Sequence, residues 1–318
     1  MARRRKRSCF GCLFRLIFYA LIIGILALLA IYWLPMSIPS GSQEMREELS
    51  VNENLSGDWM NILLLGSDSG DPDSPGRTDT MIIASINKNS GDVKLISLLR
   101  DTWVDIPGYG QNKLNAAYRF GGAKLLMRTV NEAFETNITE YITLDFTSFP
   151  FLIDSLGGIY LTVKEEELPI LNRLVLSVRH LFQDTNLDTS ELAAAGENVR
   201  LTGLQALAFS RMRSLDSDYQ RASRQRKVLD AVLSKARQIR NPVTMYQMAN
   251  TLISYADTNI PAMQLSLIGT KILVGGADME QFQIPAPGAF TEVSGSTWYI
   301  KPDIEKNRRL LREIIYGE

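Results

Sequence analysis

The chain has 318 residues, of which 45% are hydrophobic and 22% are charged, a composition typical of a folded protein rather than a disordered one. One histidine argues against a histidine-based metal cluster and a Ser-His-Asp triad, and two cysteines exclude a disulfide scaffold. The net charge of −1 hides an uneven distribution. The first 34 residues have six basic and no acidic residues, and the remainder has 28 basic and 35 acidic residues.

The N-terminal segment predicts a membrane anchor. Residues 16–34 carry no charge, and as a helix they would extend about 28 Å, close to the thickness of the hydrocarbon core. The basic residues of segment 1–15 predict a cytosolic tail and an exported body. A cleaved signal peptide is the alternative, but the run is long and Leu34-Pro35-Met36 is a poor cleavage site. Cys9 and Cys12 of the tail are interpreted as an incidental pair or as acylation sites.

The exported part predicts a stalk followed by one α/β domain. Residues 35–57 are polar and turn-rich, which indicates a stalk, and residues 58–318 form the predicted domain. Apolar runs predict strands at 61–65, 81–86, 93–99, 141–146 and 159–163. Helical patterns cover 115–134, 149–156, 202–213, 221–239, 242–256 and 262–274. This alternation predicts a mixed central sheet flanked by helices on both faces, with an antiparallel pair joined at Asn89-Ser-Gly91.

Aspartate and arginine recur at the ends of the predicted strands. Asp68 follows the first strand, Arg77 and Asp79 precede the second, and Arg100 and Asp101 follow the third. One such pair alone is typical of a structural ion pair. Convergence of all three positions at one edge of a sheet favours a ligand site. The sequence has no GxxxxGK[ST] loop, GxGxxG, HExxH or GxSxG motif.

A second polar cluster lies further along the chain. It contains Arg211, Arg213, Asp218, Arg221, Arg224 and Gln225. The last three would share one face of a helix, a pattern that is ordinarily a solvated basic surface. In an acidic body, however, guanidinium groups that match phosphate oxygens, next to carboxylates that suit a divalent cation, favour a diphosphate site. Nucleic acid is not expected as a partner, because the acidic body would repel it.

Several motifs occur in a fixed order over residues 59–235. They are Gly76-Arg-Thr-Asp-Thr-Met81, Leu99-Arg-Asp-Thr102, Ile106-Pro-Gly108, Lys113-Leu-Asn-Ala-Ala-Tyr118, Gly121-Gly122, Asp154-Ser-Leu-Gly-Gly158, Gly203-Leu-Gln-Ala-Leu207, Arg211-Met-Arg213 and Asp218-Tyr-Gln-Arg-Ala-Ser-Arg-Gln225. In order and spacing they resemble the LytR-CpsA-Psr (LCP) family. Leu99 stands where that family often has proline, and the segment between Arg213 and Asp218 is short. We expect these departures to alter local geometry and leave the chemistry intact.

The resemblance implies a phosphotransferase that acts outside a bacterial membrane. It would move a glycopolymer (teichoic acid or capsule-like) from a polyprenyl-pyrophosphate carrier to a peptidoglycan hydroxyl and release polyprenyl phosphate. The implied fold is a mixed sheet between helices, with an apolar lipid tunnel, preceded by one transmembrane helix. The implied location is the cell membrane, with a cytosolic N-terminus and an extracellular catalytic domain.

The resemblance also assigns roles to residues. It implies Mg²⁺ or Mn²⁺ held by Asp68 and Asp79. The pyrophosphate would be bound by Arg77, Arg100, Arg211, Arg213, Arg221 and Gln225. The implied catalytic residues are Asp68, Arg100 and Asp101, and either aspartate could accept the proton of the hydroxyl. Asp218 and Arg224 are secondary candidates for the polar site.

Two other functions stay open from the sequence. A non-catalytic envelope regulator or glycopolymer-binding protein would keep the arginine cluster without needing the aspartates, and this sequence has both. A lipid pyrophosphatase would release the lipid phosphate to water.

Overall fold

The computed structural model describes residues 42–67, 76, 78–182, 185–212, 218–236, 238, 241–274, 279–295 and 297–317. They belong to one unit, Pro39–Glu318. The predicted tail and anchor, residues 1–34, and the first residues of the predicted stalk lie outside this described part. Among the described residues, no helix combines the length and the apolar composition needed to cross a membrane.

Strands and helices are interspersed along the described residues. The strands are β1 (Trp59–Ser67), β2 (Thr78–Asn87), β3 (Val93–Leu98), β4 (Trp103–Ile106), β5 (Gly110–Lys113), β6 (Glu140–Asp145), β7 (Ile159–Val163), β8 (Gly196–Leu201), β9 (Asp257–Thr258), β10 (Met279–Ile284), β11 (Phe290–Val293) and β12 (Tyr299–Pro302). The α-helices are α1 (Gln43–Glu48), α2 (Asn115–Phe134), α3 (Ser148–Ser155), α4 (Leu168–Val178), α5 (Gly203–Arg211), α6 (Asp218–Ala236), α7 (Pro242–Tyr255), α8 (Ala262–Val274) and α9 (Ile304–Tyr316). A 3₁₀ helix, Arg179–Phe182, follows α4.

The central sheet has six strands in the order β10-β3-β2-β1-β6-β9. β1 is antiparallel to β2 and parallel to β6, and β3 is antiparallel to β2 and parallel to β10. The predicted mixed sheet and the antiparallel β2–β3 pair are therefore confirmed. It follows from these directions that β1, β3, β6 and β10 end, and β2 begins, at the same edge of the sheet. We call it the site edge.

Helices cover both faces of this sheet. On one face, Leu63, Ile83 and Ile96 of the sheet pack in one buried cluster with Val130 of α2 and Leu311 of α9. On the other face, Arg226 of α6 donates from Nη1 to Ser97 Oγ of β3 (2.7 Å) and from Nε to Gln281 Oε1 of β10 (3.3 Å). The central strands are consequently apolar on both sides, which explains their continuous hydrophobic runs.

The strand predicted at residues 159–163 belongs to a different sheet. β7 pairs with β8 in an antiparallel two-stranded sheet. Along β7, buried Ile159, Leu161 and Val163 alternate with exposed Tyr160, a pattern that fits a strand with one solvated face. These buried residues form a second hydrophobic cluster with α3, α4, α5 and α6, which includes the fully buried Phe209.

The helix predicted at residues 115–134 is bent at its two glycines. Gly121 (φ −156°, ψ 27°) and Gly122 (φ 63°, ψ −160°) leave helical geometry, so α2 consists of two helical segments across a kink. The positive φ of Gly122 is a conformation that side chains with a Cβ rarely adopt. The kink separates a short first segment, which carries Tyr118, from the long segment that packs under the sheet.

Candidate functional site

Arg100 lies between two carboxylates at the site edge. Its Nη1 donates to Asp79 Oδ1 (2.6 Å), and its Nε donates to Asp101 Oδ2 (3.0 Å). The side chains of Arg100 and Asp79 are 22% and 29% exposed, so solvent reaches them. Asp79 is the second residue of β2 and Arg100 follows β3, and the antiparallel pairing of these strands places the two residues side by side. The structure therefore brings together three of the residues predicted for the site.

Asp101 forms ion pairs with two cationic side chains. Its Oδ2 accepts from Arg100, and its Oδ1 accepts from the Lys113 ammonium at 2.6 Å. The Asp101 side chain is only 8% exposed, and its backbone carbonyl accepts from the N–H of Ile300 (2.9 Å). We refer to Asp79, Arg100, Asp101 and Lys113 as the Arg100 cluster. Its two carboxylates and two cations offset each other, which permits partial burial of all four groups.

Lys113 was not among the predicted site residues. It ends β5, where it pairs with Trp103 of β4 in a short hairpin. The sequence contained one signal for it, because Lys113 begins one of the motifs that carry the family resemblance. Neither β4 nor β5 has an apolar run long enough to predict a strand, so its position beside Asp101 was not foreseeable from periodicity.

Arg211 lies near the end of β6. It is the last residue of α5, it is exposed, and its Cζ is 5.3 Å from the ring centroid of Phe146. Phe146 directly follows β6, whose last residue, Asp145, pairs in register with Ser67 of β1 at the site edge. Within the part of the chain that the structure describes, no carboxylate pairs with Arg211. Its guanidinium therefore stacks on an aromatic ring and remains accessible to an anion.

The predicted shared face of α6 was to carry Arg221, Arg224 and Gln225. These side chains do not form one solvent-facing group. Arg224 is buried, and it donates from Nε to Glu167 Oε1 (3.2 Å) and from Nη1 to the carbonyl of Met212 (3.1 Å). This places Arg224 in a buried ion pair of the second hydrophobic cluster rather than in solvent. Gln225 is partly exposed. Burial lowers the pKa of Arg226, which the sequence analysis did not single out.

Several predicted site residues lie outside what the structure describes. Asp68, Arg77 and Arg213 are not among the described residues, and the side chains of Asp218 and Arg221 in α6 are not described either. Ser67 and Thr78, the described residues that precede Asp68 and follow Arg77, pair with each other at the site edge. The roles proposed for these five residues stay predictions.

Two tyrosines, one in the first half of β6 and one on α2, were not singled out from the sequence. The hydroxyl of Tyr141 donates to both carboxylate oxygens of Asp257 (3.2 and 3.3 Å). Burial, together with the negative charge of Asp257, raises the pKa of Tyr141 to about 12. Burial also raises the pKa of Tyr118, with a smaller contribution from the charges of Asp257 and Asp145. Both phenols therefore stay protonated at neutral pH, and the Tyr141 hydroxyl serves as a hydrogen-bond donor to Asp257.

The sequence profile of the LytR_cpsA_psr family matches residues 36–313. The chain belongs to this family. The match covers all the elements that build the Arg100 cluster and confirms the resemblance seen in the motifs.

Curated LCP relatives carry two kinds of names. A protein of Enterococcus faecalis, named polyisoprenyl-teichoic acid–peptidoglycan teichoic acid transferase TagU, is 35% identical over 70% of this chain and 69% of its own. A protein of the same name from Oceanobacillus iheyensis is 33% identical over 79% of this chain and 74% of its own. A Staphylococcus aureus protein named regulatory protein MsrR is 29% identical over 78% of this chain and 71% of its own.

Solved structures of the LCP family share the fold. Bacillus subtilis TagV has a TM-score of 0.65 at 25% identity, covering 82% of this chain and 98% of its own. The LCP protein YwtF (TagT), solved with bound octaprenyl pyrophosphate lipid, has a TM-score of 0.59 at 22% identity, covering 81% of this chain and 91% of its own. The second likeness concerns the fold alone, since its sequence identity is low.

Proposed function

We propose that the chain is an LCP phosphotransferase that moves a teichoic acid-like glycopolymer from a polyprenyl-pyrophosphate carrier to a hydroxyl of peptidoglycan. The observation that carries the proposal is Arg100, which two carboxylates fix at the site edge of the sheet. The relatives named teichoic acid transferases support the choice of substrates.

The cations of the site suit a diphosphate. Arg100 and Lys113 are fixed by Asp101, and the exposed Arg211 stands at the end of β6 without a described carboxylate partner. Guanidinium groups bind phosphate oxygens through paired N–H donors, and a fixed cation stabilises charge that develops on a transferring phosphoryl group without having to reorganise. Arg77, Arg213, Arg221 and Gln225 are proposed to add donors to the same pyrophosphate.

The transfer is proposed as an in-line displacement. The acceptor hydroxyl attacks the phosphorus nearest the polymer, the bond from that phosphorus to the bridging oxygen breaks, and the lipid phosphate leaves with that oxygen. Of the two aspartates proposed as proton acceptor, Asp101 already receives a cation at each oxygen. This arrangement favours Asp101 as the residue that positions Arg100 and Lys113, and Asp68 as the proton acceptor.

We propose that a magnesium ion is bound by two aspartates of the site. Among the described residues, no group of three His, Cys, Asp or Glu side chains could hold a metal, but Mg²⁺ is commonly bound by one or two carboxylates together with substrate phosphates. Asp79 is a partly exposed carboxylate at the site edge, and Asp68 is the proposed second ligand. Mg²⁺ or Mn²⁺ would supply positive charge that offsets the diphosphate.

The location is proposed from the sequence. The uncharged segment 16–34 would anchor the chain in the membrane, with a cytosolic N-terminus and the catalytic domain outside. A lipid carrier resides in the same membrane, so an anchored domain would keep its site close to the donor.

The proposal is tested by substituting Arg100 in a reconstituted transfer reaction. The reaction contains purified protein, Mg²⁺, a lipid-pyrophosphate-linked glycan and peptidoglycan oligomers. Arg100→Lys keeps the charge but cannot bond both carboxylates as a planar fork does, so we expect kcat to fall by about 10²-fold. The matched control is Arg173→Lys on α4, where the arginine is exposed. No covalent product from the wild-type chain, or equal rates for Arg100→Lys and wild type, would contradict the proposal.

A further inference from the structure

The outward face of the β4–β5 hairpin carries aromatic and polar side chains. Trp103 of β4 lies opposite Lys113 of β5, and its indole N–H donates to Gln111 Oε1 (2.9 Å). Tyr299 of β12 packs against Trp103 with ring centroids 4.4 Å apart and an interplanar angle of 31°. Both rings are partly exposed, so packing fixes their orientation while part of each ring still meets solvent.

Lys113 joins this face to the Arg100 cluster. Its ammonium is 2.6 Å from Asp101 Oδ1 and 5.8 Å from the ring centroid of Trp298. The backbone bond from Ile300 N–H to the Asp101 carbonyl ties β12 to the same aspartate. The group formed by Trp103, Gln111, Lys113, Trp298 and Tyr299 is called the aromatic surface below.

The chemistry of the aromatic surface suits a sugar chain. The C–H faces of sugar rings pack on aromatic rings, and their hydroxyls bond to side-chain amides such as that of Gln111. Exposed Gln111 and Asp105, which pair across the hairpin, interrupt the apolar area and make it a poor site for a lipid chain.

The charges of the aromatic surface favour a neutral glycan over a phosphate-rich polymer. Asp105 lies two residues from Trp103 on the same face of β4, since strand residues alternate. Lys113, the cation of this surface, is paired with Asp101 and is assigned to the proposed diphosphate, so Asp105 is the charge that the rest of the surface offers to a polymer. A polymer rich in phosphate would therefore meet a carboxylate here, whereas a neutral glycan would not be repelled.

We propose that the aromatic surface binds the neutral glycan strand of the acceptor and presents one of its hydroxyls to the Arg100 cluster. The inference rests on the proposed transferase function and adds an acceptor subsite to it. Trp298 and Tyr299 are binding residues for the acceptor and take no part in the chemical step.

Titration calorimetry of the full chain in detergent tests the surface directly. The probes are a neutral N-acetylglucosamine tetrasaccharide and soluble poly(glycerol phosphate). We expect Trp298→Ala and Tyr299→Ala to weaken tetrasaccharide binding by about tenfold or more and to leave poly(glycerol phosphate) binding unchanged. Tyr299→Phe keeps the ring and should bind like wild type. Tyr160→Ala on β7, where the tyrosine is 45% exposed, is the matched control.

Kinetics with peptidoglycan oligomers test whether the ligand of the aromatic surface is the acceptor. Tyr299→Ala should raise the KM for the acceptor while kcat stays within about twofold, because ground-state and transition-state binding are lost together. If Tyr299→Ala does not fold, Tyr299→Leu is used instead, because it removes the ring and keeps a similar side-chain volume. Unchanged tetrasaccharide affinity in folded variants, or weakened poly(glycerol phosphate) binding instead, would overturn the inference. Tetrasaccharide binding in a chain that transfers nothing would uphold the subsite and count against the proposed transferase.

Discussion

At the scale of single residues, Asp101 organises the site. Each of its oxygens accepts from a different cation, Arg100 and Lys113, and its backbone accepts from Ile300. Fixing cations before the substrate arrives means that little reorganisation is needed when charge develops during transfer. Asp101 thereby holds two flexible cationic side chains in fixed positions.

Away from the site, Glu140 is a buried carboxyl group with a pH-dependent effect on stability. Burial raises the pKa of Glu140, against the opposing effects of a hydrogen bond from Thr139 Oγ1 (2.6 Å) and the charges of Lys88 and Arg46. The folded state therefore holds this proton more tightly than the unfolded state, and Glu140 lowers stability as the pH rises above its ordinary pKa. We expect Glu140→Gln to be at least as stable as wild type at pH 8, with a difference that shrinks towards pH 5.

Urea unfolding of both proteins at pH 5 and pH 8 measures this difference. Glu197→Gln, which alters an exposed carboxylate on β8, is the control and should show no such trend. A wild-type chain that gains stability relative to Glu140→Gln between pH 5 and pH 8 would contradict the assignment.

Sequence patterns located part of the site at this scale. Asp79, Arg100 and Asp101 were predicted together because each adjoins a clear apolar strand, and they do contact one another. Lys113 was missed because the strand that carries it has no apolar run. The burial of Arg224 could not be foreseen, since helical spacing defines a face but not whether that face meets solvent or protein.

At the scale of elements, α6 is attached to two different parts of the protein. Arg226 bonds to β3 and β10 of the central sheet, whereas Arg224 bonds to Glu167 at the start of α4. Glu167 Oε2 in turn accepts from the backbone N–H of Lys164 (3.0 Å). The helix that carries Gln225 and Arg221 is thus fixed in place by two buried or partly buried arginines.

Removing Arg224 tests whether it is structural. Arg224→Ala leaves the buried carboxylate of Glu167 without this ion pair, and we expect a loss of about 3–5 kcal/mol in the free energy of unfolding. The double variant Arg224→Met with Glu167→Gln removes both charges and should lose less. Urea unfolding measures both, with Arg173→Ala as the exposed control. Wild-type stability of Arg224→Ala with transfer abolished would instead make Arg224 a site residue.

The contact between α3 and α5 depends on a glycine. A Cβ on Gly203 would lie 2.0 Å from the carbonyl oxygen of Pro150, and the Gly203 N–H donates to Asp154 Oδ1 (2.7 Å). Gly203→Ala should therefore force these helices apart and destabilise the chain by about 1–3 kcal/mol or more.

The control for this change is Gly57→Ala, because a Cβ on Gly57 would meet nothing within 4 Å. Thermal unfolding compares the two variants. Equal melting temperatures for Gly203→Ala and Gly57→Ala would show that the close approach of α3 and α5 is not required.

The elements that sequence reasoning found are those with long periodic patterns. The strands β1, β2, β3, β6 and β7 and the helices α2, α3 and α5 to α8 were predicted, whereas α4 was not. The segments that form β10, β11, β12 and α9 were left unassigned, although β10 is an edge strand of the central sheet. β10 (Met279–Ile284) mixes polar and apolar residues because only part of it is buried, so it lacks the apolar run by which the central strands were found.

At the scale of the whole molecule, charge is separated along the chain. A basic tail precedes an uncharged segment, and the rest has an excess of seven acidic residues. This separation predicts orientation in a membrane, because basic residues remain on the cytosolic side.

The anchor is tested by the mass of the mature protein. We expect the chain in the membrane fraction to retain residues 1–34, and external protease to cleave the body while leaving the N-terminal tail protected. Intact-mass spectrometry and protease treatment of cells measure both. A secreted chain that begins after residue 34 would favour the cleaved signal peptide.

The most direct test of the transferase proposal is the stoichiometry of its two products. Displacement at the phosphorus nearest the polymer predicts equal amounts of released polyprenyl monophosphate and of glycopolymer bound to peptidoglycan in one reaction. Lipid monophosphate can be measured by mass spectrometry, and transferred polymer by its radiolabel. We predict equal amounts of the two products from the wild type and from Arg173→Lys, and loss of both products in Arg100→Lys. Lipid monophosphate formed without transferred polymer would show a pyrophosphatase and contradict the transferase.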